Sequence, residues 1–277
     1  MVRGVCMLPP YSVLMSVYYK EQAGYLESSL ASMRAQSYAP DEIVLVCDGA
    51  LTPELERMIQ IFNAQNPGLM RLVRLAKNVG LGEALNQGLL HCRNECIVRM
   101  DTDDIALPKR VEVQMTHMHE YDLDICGCDI IEFNDNDSVE RVKSVPREHA
   151  DILRYAKKRN PFNHPSVVFR KSTILVAGGY RTMPFFEDYF LWIRALQKGA
   201  HCGNVPEVLL RMRTGMDFYM RRGGAAYCRA LSVFWNQAAA IGFVTRWEAF
   251  SRMMPRIVVA MLPGRMREQV YQNLLRA

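Results

Sequence analysis

Asp101-Thr102-Asp103-Asp104 places three carboxylates within four residues. They follow an apolar run, Cys96-Ile97-Val98-Arg99-Met100, that reads as a buried strand. They precede a Pro-started helical stretch, Leu107-Pro108-Lys109-Arg110. Like charges crowded into one turn repel unless a cation neutralises them. Hard divalent cations prefer oxygen ligands, and Mg²⁺ often divides its coordination between one or two carboxylates and a substrate's phosphates. The carboxyl end of a strand is also where open α/β sheets bind ligands. A metal–diphosphate site is therefore the chemistry these residues could do. A solvated acidic helix start is the alternative, because Asp is favoured there.

A second acidic pair, Glu187-Asp188, lies among Phe185, Phe186 and Tyr189. Aromatic neighbours desolvate a carboxylate and raise its pKa, which opens acid–base work. Asp188 could equally cap the following helix, whose amide donors would keep it ionised, and that suits a general base. The two acidic groups are complementary. Sugar transfer from a nucleotide needs charge stabilisation of a leaving diphosphate and a base for the incoming hydroxyl.

The elements that must position these groups alternate over the first 130 residues. Strand patterns are expected at Val13–Val17, Glu42–Cys47, Met70–Leu75, Cys96–Met100 and Ile125–Phe133. Helical periodicity is expected at Gly24–Gln36, with Leu26, Leu30 and Met33 on one face. Further helices are expected from Thr52-Pro53, at Gly82–Cys92 and at Leu107–Tyr121. Ile43-Val44-Leu45-Val46 is continuously apolar, as in a sheet buried on both sides. Thr52 and Pro53 form a cap and a first-turn proline. The alternation predicts a parallel sheet flanked by helices.

After Asn134 the pattern is mixed. It comprises a polar helix Glu148–Arg159, a short strand Ser166–Phe169 and a break at Gly178-Gly179. An amphipathic helix Asp188–Lys198 follows, with Leu191, Trp192, Ala195 and Leu196 as its apolar face, then a late strand Val205–Leu210. From about Phe218 the chain reads as helical, with a breaker at Pro263-Gly264. Neither G-x-G-x-x-G nor G-x-x-x-x-G-K-[ST] occurs, so a dinucleotide-binding Rossmann domain and a P-loop enzyme are poorly supported.

Composition is that of a globular chain: 277 residues, 49% hydrophobic and 23% charged. The net charge of +5 is uneven. Arg211 to Ala277 holds 11 Arg, no Lys and 3 acids, a net of +8 that leaves −3 for the rest. An arginine-rich tail on a mildly acidic body points to phosphates or an anionic membrane surface. The eight cysteines lack zinc spacing and read as reduced thiols filling space. The start, Met1 to Cys6, has no signal-peptide apolar region, and no apolar run approaches the ~20 residues of a spanning helix.

Several further segments carry a resemblance. They are Ser16-Val17-Tyr18-Tyr19, Gln36-Ser37-Tyr38-Ala39-Pro40-Asp41-Glu42, Asp48-Gly49, Asn78-Val79-Gly80-Leu81-Gly82 and Leu85-Asn86-Gln87-Gly88. With the acidic cluster and Phe186-Glu187-Asp188-Tyr189-Phe190-Leu191-Trp192, in this order, the chain resembles a family 2 glycosyltransferase over residues 11 to 230 or so. Arg159-Asn160-Pro161-Phe162-Asn163-His164-Pro165-Ser166 resembles the branch that builds bacterial surface polysaccharides such as O-antigens and amylovoran-type exopolysaccharide.

The resemblance implies a GT-A fold: a Rossmann-like, mostly parallel sheet flanked by helices, with a C-terminal helical extension. The expected division is 1–215 for the transferase domain and 216–277 for a basic amphipathic tail. Within the first, 1–133 would bind the nucleotide sugar and 134–215 would face the acceptor. It further implies an inverting transfer needing Mg²⁺ or Mn²⁺, with Asp103 and Asp101 at the metal. Asp101 and Asp104 would contact donor ribose, sugar or metal-bound water. Asp188 would be the base, with Glu187 supporting it or touching the acceptor. Val17, Tyr18 and Glu21 would line the nucleoside pocket, with Asp48, Asn78 and Gly80 also on the donor side. One departure matters: many family members carry two acids before the glycine at Gly49, and Cys47 holds the first place. A uridine donor is expected by family habit and not by that residue.

His164 could help hold the diphosphate or the acceptor, or serve a structural role. Arg211, Arg213, Arg221 and Arg222 offer bidentate phosphate contacts, or solvated surface charge. In the tail, Trp235, Phe243, Trp247, Phe250 and Met253-Met254 interleave with Arg. They fit either packing against the body or docking on a membrane surface. The expected partners are a nucleotide sugar, a lipid-diphosphate-linked saccharide and the cytoplasmic face of the inner membrane, with no nucleic acid. A sugar nucleotidyltransferase and a non-catalytic membrane-associated nucleotide-binding protein are the alternatives.

Overall fold

The computed structural model describes residues 8–135, 137–214 and 223–262. Nine strands and nine helices are described. In chain order they are β1 (Tyr11–Val17), α1 (Ala23–Arg34), β2 (Glu42–Cys47), α2 (Pro53–Gln65), β3 (Met70–Arg74), α3 (Leu81–His91) and β4 (Cys96–Arg99). Then come β5 (Ile105–Ala106), α4 (Arg110–Glu120), β6 (Ile125–Asn134), β7 (Asp137–Lys143), α5 (His149–Ala156), β8 (Val168–Arg170), α6 (Lys171–Val176) and α7 (Glu187–Gln197). The last three are β9 (Cys202–Arg213), α8 (Gly224–Ala240) and α9 (Arg246–Ala260).

All the strands share one sheet, in the order β3-β2-β1-β4-β8-β6-β9-β5, with β7 paired to β6. The run β3-β2-β1-β4 is parallel, as the alternating pattern requires. The direction then reverses. β8 lies antiparallel to both β4 and β6, while β6 and β9 are parallel. The mixed second half explains why periodicity weakens after Asn134. Two strands carry no sequence signal of their own: β5 has two residues, and β7 is a polar edge strand.

Successive strand residues point to opposite faces, so each strand feeds two cores. Leu14, Val44, Val46 and Ile97 meet α3, α6 and α7, with Leu231, Phe234 and Trp235 of α8 behind them. Val13, Met15, Ile43, Leu45 and Val98 meet α1, α2 and α4 through Leu26, Leu30, Met33, Leu55, Val111 and Met115. The Thr52 hydroxyl accepts from Leu55 N at 3.4 Å and Pro53 opens α2, so that cap is as expected. The described cysteines are free thiols, and all but Cys228 are buried.

Three helical expectations change. α4 begins at Arg110, because Leu107 N is taken by Leu209 O of β9 at 2.9 Å. α7 is no surface amphipath: Tyr189 to Leu196 are all buried between the sheet and α8. Even Arg194 is inside, donating to Gly179 O at 2.6 Å. The C-terminal helical run breaks between Ala240 and Arg246. There Thr245 and Glu248 form a capping box that starts α9. The breaker expected at Pro263-Gly264 lies outside the described residues.

Candidate active site

β1, β2 and β4 all end at one edge of the sheet. Their loops hold the acidic cluster and its neighbours. Asp48, after β2, is buried, and its carboxylate accepts from Val79 N at 2.7 Å, Gly80 N at 3.0 Å and Asn78 Nδ2 at 3.0 Å. It clamps the 78–80 loop to β2. Gly49 is what allows the approach: its φ is +85°, and a Cβ there would sit 2.7 Å from Asn78 N. Cys47 is fully buried, and burial pushes its thiol up to about 11. Asp48 N donates to Val17 O at 2.8 Å, and Glu21 N to Tyr18 O at 3.0 Å. The Glu21 carboxylate accepts from the Thr102 hydroxyl at 2.6 Å, so the loop after β1 grips the acidic loop directly.

One carboxylate oxygen from each of Asp101, Asp103 and Asp104 falls within a 4.8 Å cluster. Burial, then the charges of Asp101 and Glu21, push Asp103 up to about 7. Burial, then the charges of Asp101 and Asp103, drive Asp104 well above the usual carboxylate range. Asp104 is buried; one oxygen accepts from Arg213 N of β9 at 2.8 Å and the other has no partner among the described residues. An orphaned buried oxygen inside a cluster of mutually repelling carboxylates fits a hard divalent cation.

Asp101 is ion-paired with Arg99, whose side chain is 1% exposed. Among the described residues, Arg99 Nε and Nη1 have no hydrogen-bond partner. Its guanidinium lowers the pKa of Asp103, Asp104, Glu187 and Asp188 alike, so both acidic groups lie within its field. The Tyr180 hydroxyl likewise feels Asp188, Asp101 and Glu187, which raise it beyond what burial does. Sequence reasoning missed Arg99; the signal that could have found it is a charge interrupting an apolar strand run, a position that requires a partner.

Glu187 and Asp188 are the first residues of α7. Burial raises Asp188, while Tyr189 N–H and Asn160 partly offset that. Asn160 Nδ2 donates to Asp188 Oδ2 at 2.6 Å. Glu187 is raised by burial, and its Oε2 is buried without a partner among the described residues. Asp188 does not cap α7 with its side chain; Phe186 is the cap residue. His164 bonds the Tyr180 hydroxyl at 2.9 Å, and burial with Arg99 beside it holds the ring far below its usual pKa, so it is neutral. Asn86 fixes Tyr180 from α3 through its N–H and C=O, both at 2.8 Å. Asn160 and Tyr180, like Arg99, are partners that only the assembled fold reveals.

Arg213 is committed elsewhere. Its guanidinium pairs with Asp135, donates to Asp103 O at 3.0 Å and lies 3.8 Å from the Tyr25 ring centroid. It braces the acidic loop from outside. Arg221 and Arg222 lie outside the described residues. Two surface hollows, one between α1 and α2 and one beside α4, share no residue with the carboxylates.

The glycosyl transferase family 2 model matches residues 12–176, more than half of the chain. The chain belongs to glycosyl transferase family 2. This glycosyltransferase is 36% identical to an amylovoran biosynthesis glycosyltransferase of Erwinia amylovora, over 95% of its own length and 98% of the relative's. It is 33% identical to the Escherichia coli UDP-Gal:alpha-D-GlcNAc-diphosphoundecaprenol beta-1,3-galactosyltransferase, over 97% of each. Among solved structures, the mannosyltransferase PcManGT of Pyrobaculum calidifontis, in complex with GDP-Man and Mn²⁺, superposes with a TM-score of 0.65 at 18% identity. The match covers 98% of this chain and 76% of that one. The glycosyltransferase therefore has the GT-A fold; of its relatives, one is named for amylovoran biosynthesis and another for galactosyl transfer to a diphosphoundecaprenol-linked GlcNAc.

Proposed function

We propose that the chain is a metal-dependent inverting transferase. It moves a sugar from a nucleotide sugar, UDP-linked as in the E. coli relative's name, to a hydroxyl of a lipid-diphosphate-linked saccharide in surface-polysaccharide assembly. The observation that carries the reading is buried Arg99, which is ion-paired with Asp101 in one acidic group and close enough to the other to lower Glu187 and Asp188. It works as a peripheral protein on the cytoplasmic face of the inner membrane. Residues 1–133 hold the donor, 134–215 face the acceptor, and the tail from 216 serves the membrane side.

Asp103 and Asp101 would hold Mg²⁺ or Mn²⁺; when bound, the ion supplies positive charge to the leaving diphosphate. Glu21, Asn78, Gly80 and the backbone at Val17 and Tyr18 shape the donor side, with Asp48 fixing the 78–80 loop. Asp104 anchors the acidic loop to β9. Asp188, oriented by Asn160, takes the proton from the acceptor hydroxyl. The acceptor oxygen then bonds to the sugar's anomeric carbon as the carbon–diphosphate oxygen bond breaks on the opposite face, which inverts that centre. Glu187 touches the acceptor, and neutral His164 with Tyr180 borders the diphosphate.

The test is incubation with a panel of nucleotide sugars and a synthetic diphosphate-lipid sugar acceptor. Acceptor-dependent release of nucleoside diphosphate is expected. Release of pyrophosphate from a nucleoside triphosphate and a sugar 1-phosphate, in a parallel incubation, would instead support a sugar nucleotidyltransferase. Donor binding without turnover over a broad acceptor panel would leave a binding protein.

A further inference from the structure

α9 is apolar on two sides. Its inner side is satisfied: Ala249 and Ala260 are buried, and Met253 and Ile257 pack on the core. Its outer side is not. Trp247 (75% exposed), Phe250 (48%), Met254 (39%), Val258 (59%) and Met261 (75%) recur at spacings of three and four from the helix start into the residue that caps its end. At 3.6 residues per turn that spacing makes one continuous stripe. Trp247 and Phe250 are stacked, with ring centroids 5.9 Å apart. Such a face on a lone soluble chain is costly and marks a contact surface. The sequence pattern pointed at Trp235, Phe243 and Met253 as well; the structure turns those inward and leaves the stripe.

The rim decides the occupant. Arg246 opens α9 and is exposed, and exposed Lys157 and Lys158 lie beside α9 at the end of α5. Glu248 feels Lys157, and Arg256 Nη2 donates to Lys158 O at 2.6 Å. Glu248 is the only acid in α9, and its carboxylate accepts from Thr245 N at 2.7 Å. A second copy would set like charges against each other. An anionic bilayer complements them, at roughly 1 kcal/mol for each Lys or Arg near its surface. The loop that Arg256 braces continues to Asn160, which holds Asp188. The stripe is thus tied to the base side of the cleft.

We infer that the outer face of α9, with Arg246 at its rim and Lys157 and Lys158 on the flank that carries Glu248, docks the enzyme on an anionic lipid surface and presents the Asp188 side of the site to membrane-anchored acceptor. The inference takes its purpose from the lipid-linked-acceptor reading above, but the docking itself stands on the stripe and the rim.

The full-length chain is sedimented with phosphatidylglycerol–phosphatidylcholine vesicles and with phosphatidylcholine vesicles alone. Binding to the anionic vesicles, weakened by salt, is expected. So is a blue shift of Trp fluorescence, because Trp192 and Trp235 are already buried and Trp247 is not. Trp247→Ser with Phe250→Ser should lower partitioning by about tenfold or more. It should also slow turnover of vesicle-embedded acceptor and leave turnover of a short-chain soluble acceptor unchanged. Lys157→Gln with Lys158→Gln should reduce the preference for anionic lipid. Wild-type protein left in the supernatant with both vesicles would overturn the inference. So would a double aromatic variant that partitions like wild type, or one that converts a wild-type dimer into monomer on a sizing column. Partitioning without any glycosyl transfer would sink the enzymatic reading alone; transfer to soluble acceptor without partitioning would sink the docking alone.

Discussion

The carboxylates after β4 and those at the start of α7 are the same chemical groups in opposite predicaments. Asp101, Asp103 and Asp104 lie within a few ångströms of one another, and their mutual repulsion, added to burial, lifts Asp103 and Asp104. That set has one guanidinium, Arg99, against three carboxylates. Glu187 and Asp188 are lifted mainly by burial, and Asp188 is steadied by an amide side chain and the first backbone N–H groups of a helix. That set is poised to exchange a proton. Environment separates a cation site from a base where composition does not.

Removing the base should have the largest effect. Asp188→Asn is expected to cut kcat by roughly 10²–10⁴ while donor affinity, measured by calorimetry, is kept. Near-normal turnover would erase the distinction between the two sets. Asp103→Asn acts on the other side: metal-supported donor binding should weaken by about 10–100-fold, and full activity in chelator would count against a cation there.

Asp101→Asn should behave unlike either, because it strands a buried guanidinium. Breaking a buried pair by removing one partner costs about 3–5 kcal/mol, read as a lower urea midpoint. A variant as stable as wild type would show that Arg99 finds another counter-charge. The smallest effect is on pH. The base must be ionised, and its pKa lies above the ordinary 3.8. Activity should therefore rise with pH through that elevated value. Asn160→Ala removes a hydrogen bond that favours the charged form, so the acid limb should move to higher pH with the high-pH plateau little changed. A profile that does not move would separate Asn160 from Asp188.

The same contrast accounts for what could be read from the chain beforehand. The four parallel strands were legible because each is a short apolar run between helices of clear period, as in Ile43 to Val46. The acidic cluster and Glu187-Asp188 were legible as residue types out of place, a charge-dense turn and two acids among aromatics. β5 and β7 were not, since two residues or a polar edge carry no period. Asn160, Tyr180 and Arg99 were missed as partners because their roles depend on neighbours distant in sequence. Asn160 is 28 positions from Asp188, and Tyr180 is 94 from Asn86. Arg99 differs: its own place in an apolar strand was a warning that a buried cation needed company. α7 looked amphipathic because Arg194 and the flanking acids mimic a wet face, whereas the fold encloses them.

The bond from Arg213 N to Asp104 bridges 109 positions. During synthesis, β1 to β4 can pair as soon as residue 99 has emerged, yet the acidic loop, held by then at its front through Thr102 and Glu21, lacks its tie at Asp104 until β9 arrives. A ribosome-bound chain halted before Cys202 would own the front of the sheet but not its fastening. Such a stalled fragment should fail to retain nucleotide in a filter assay, so that nucleotide capture becomes a signal of near-complete translation.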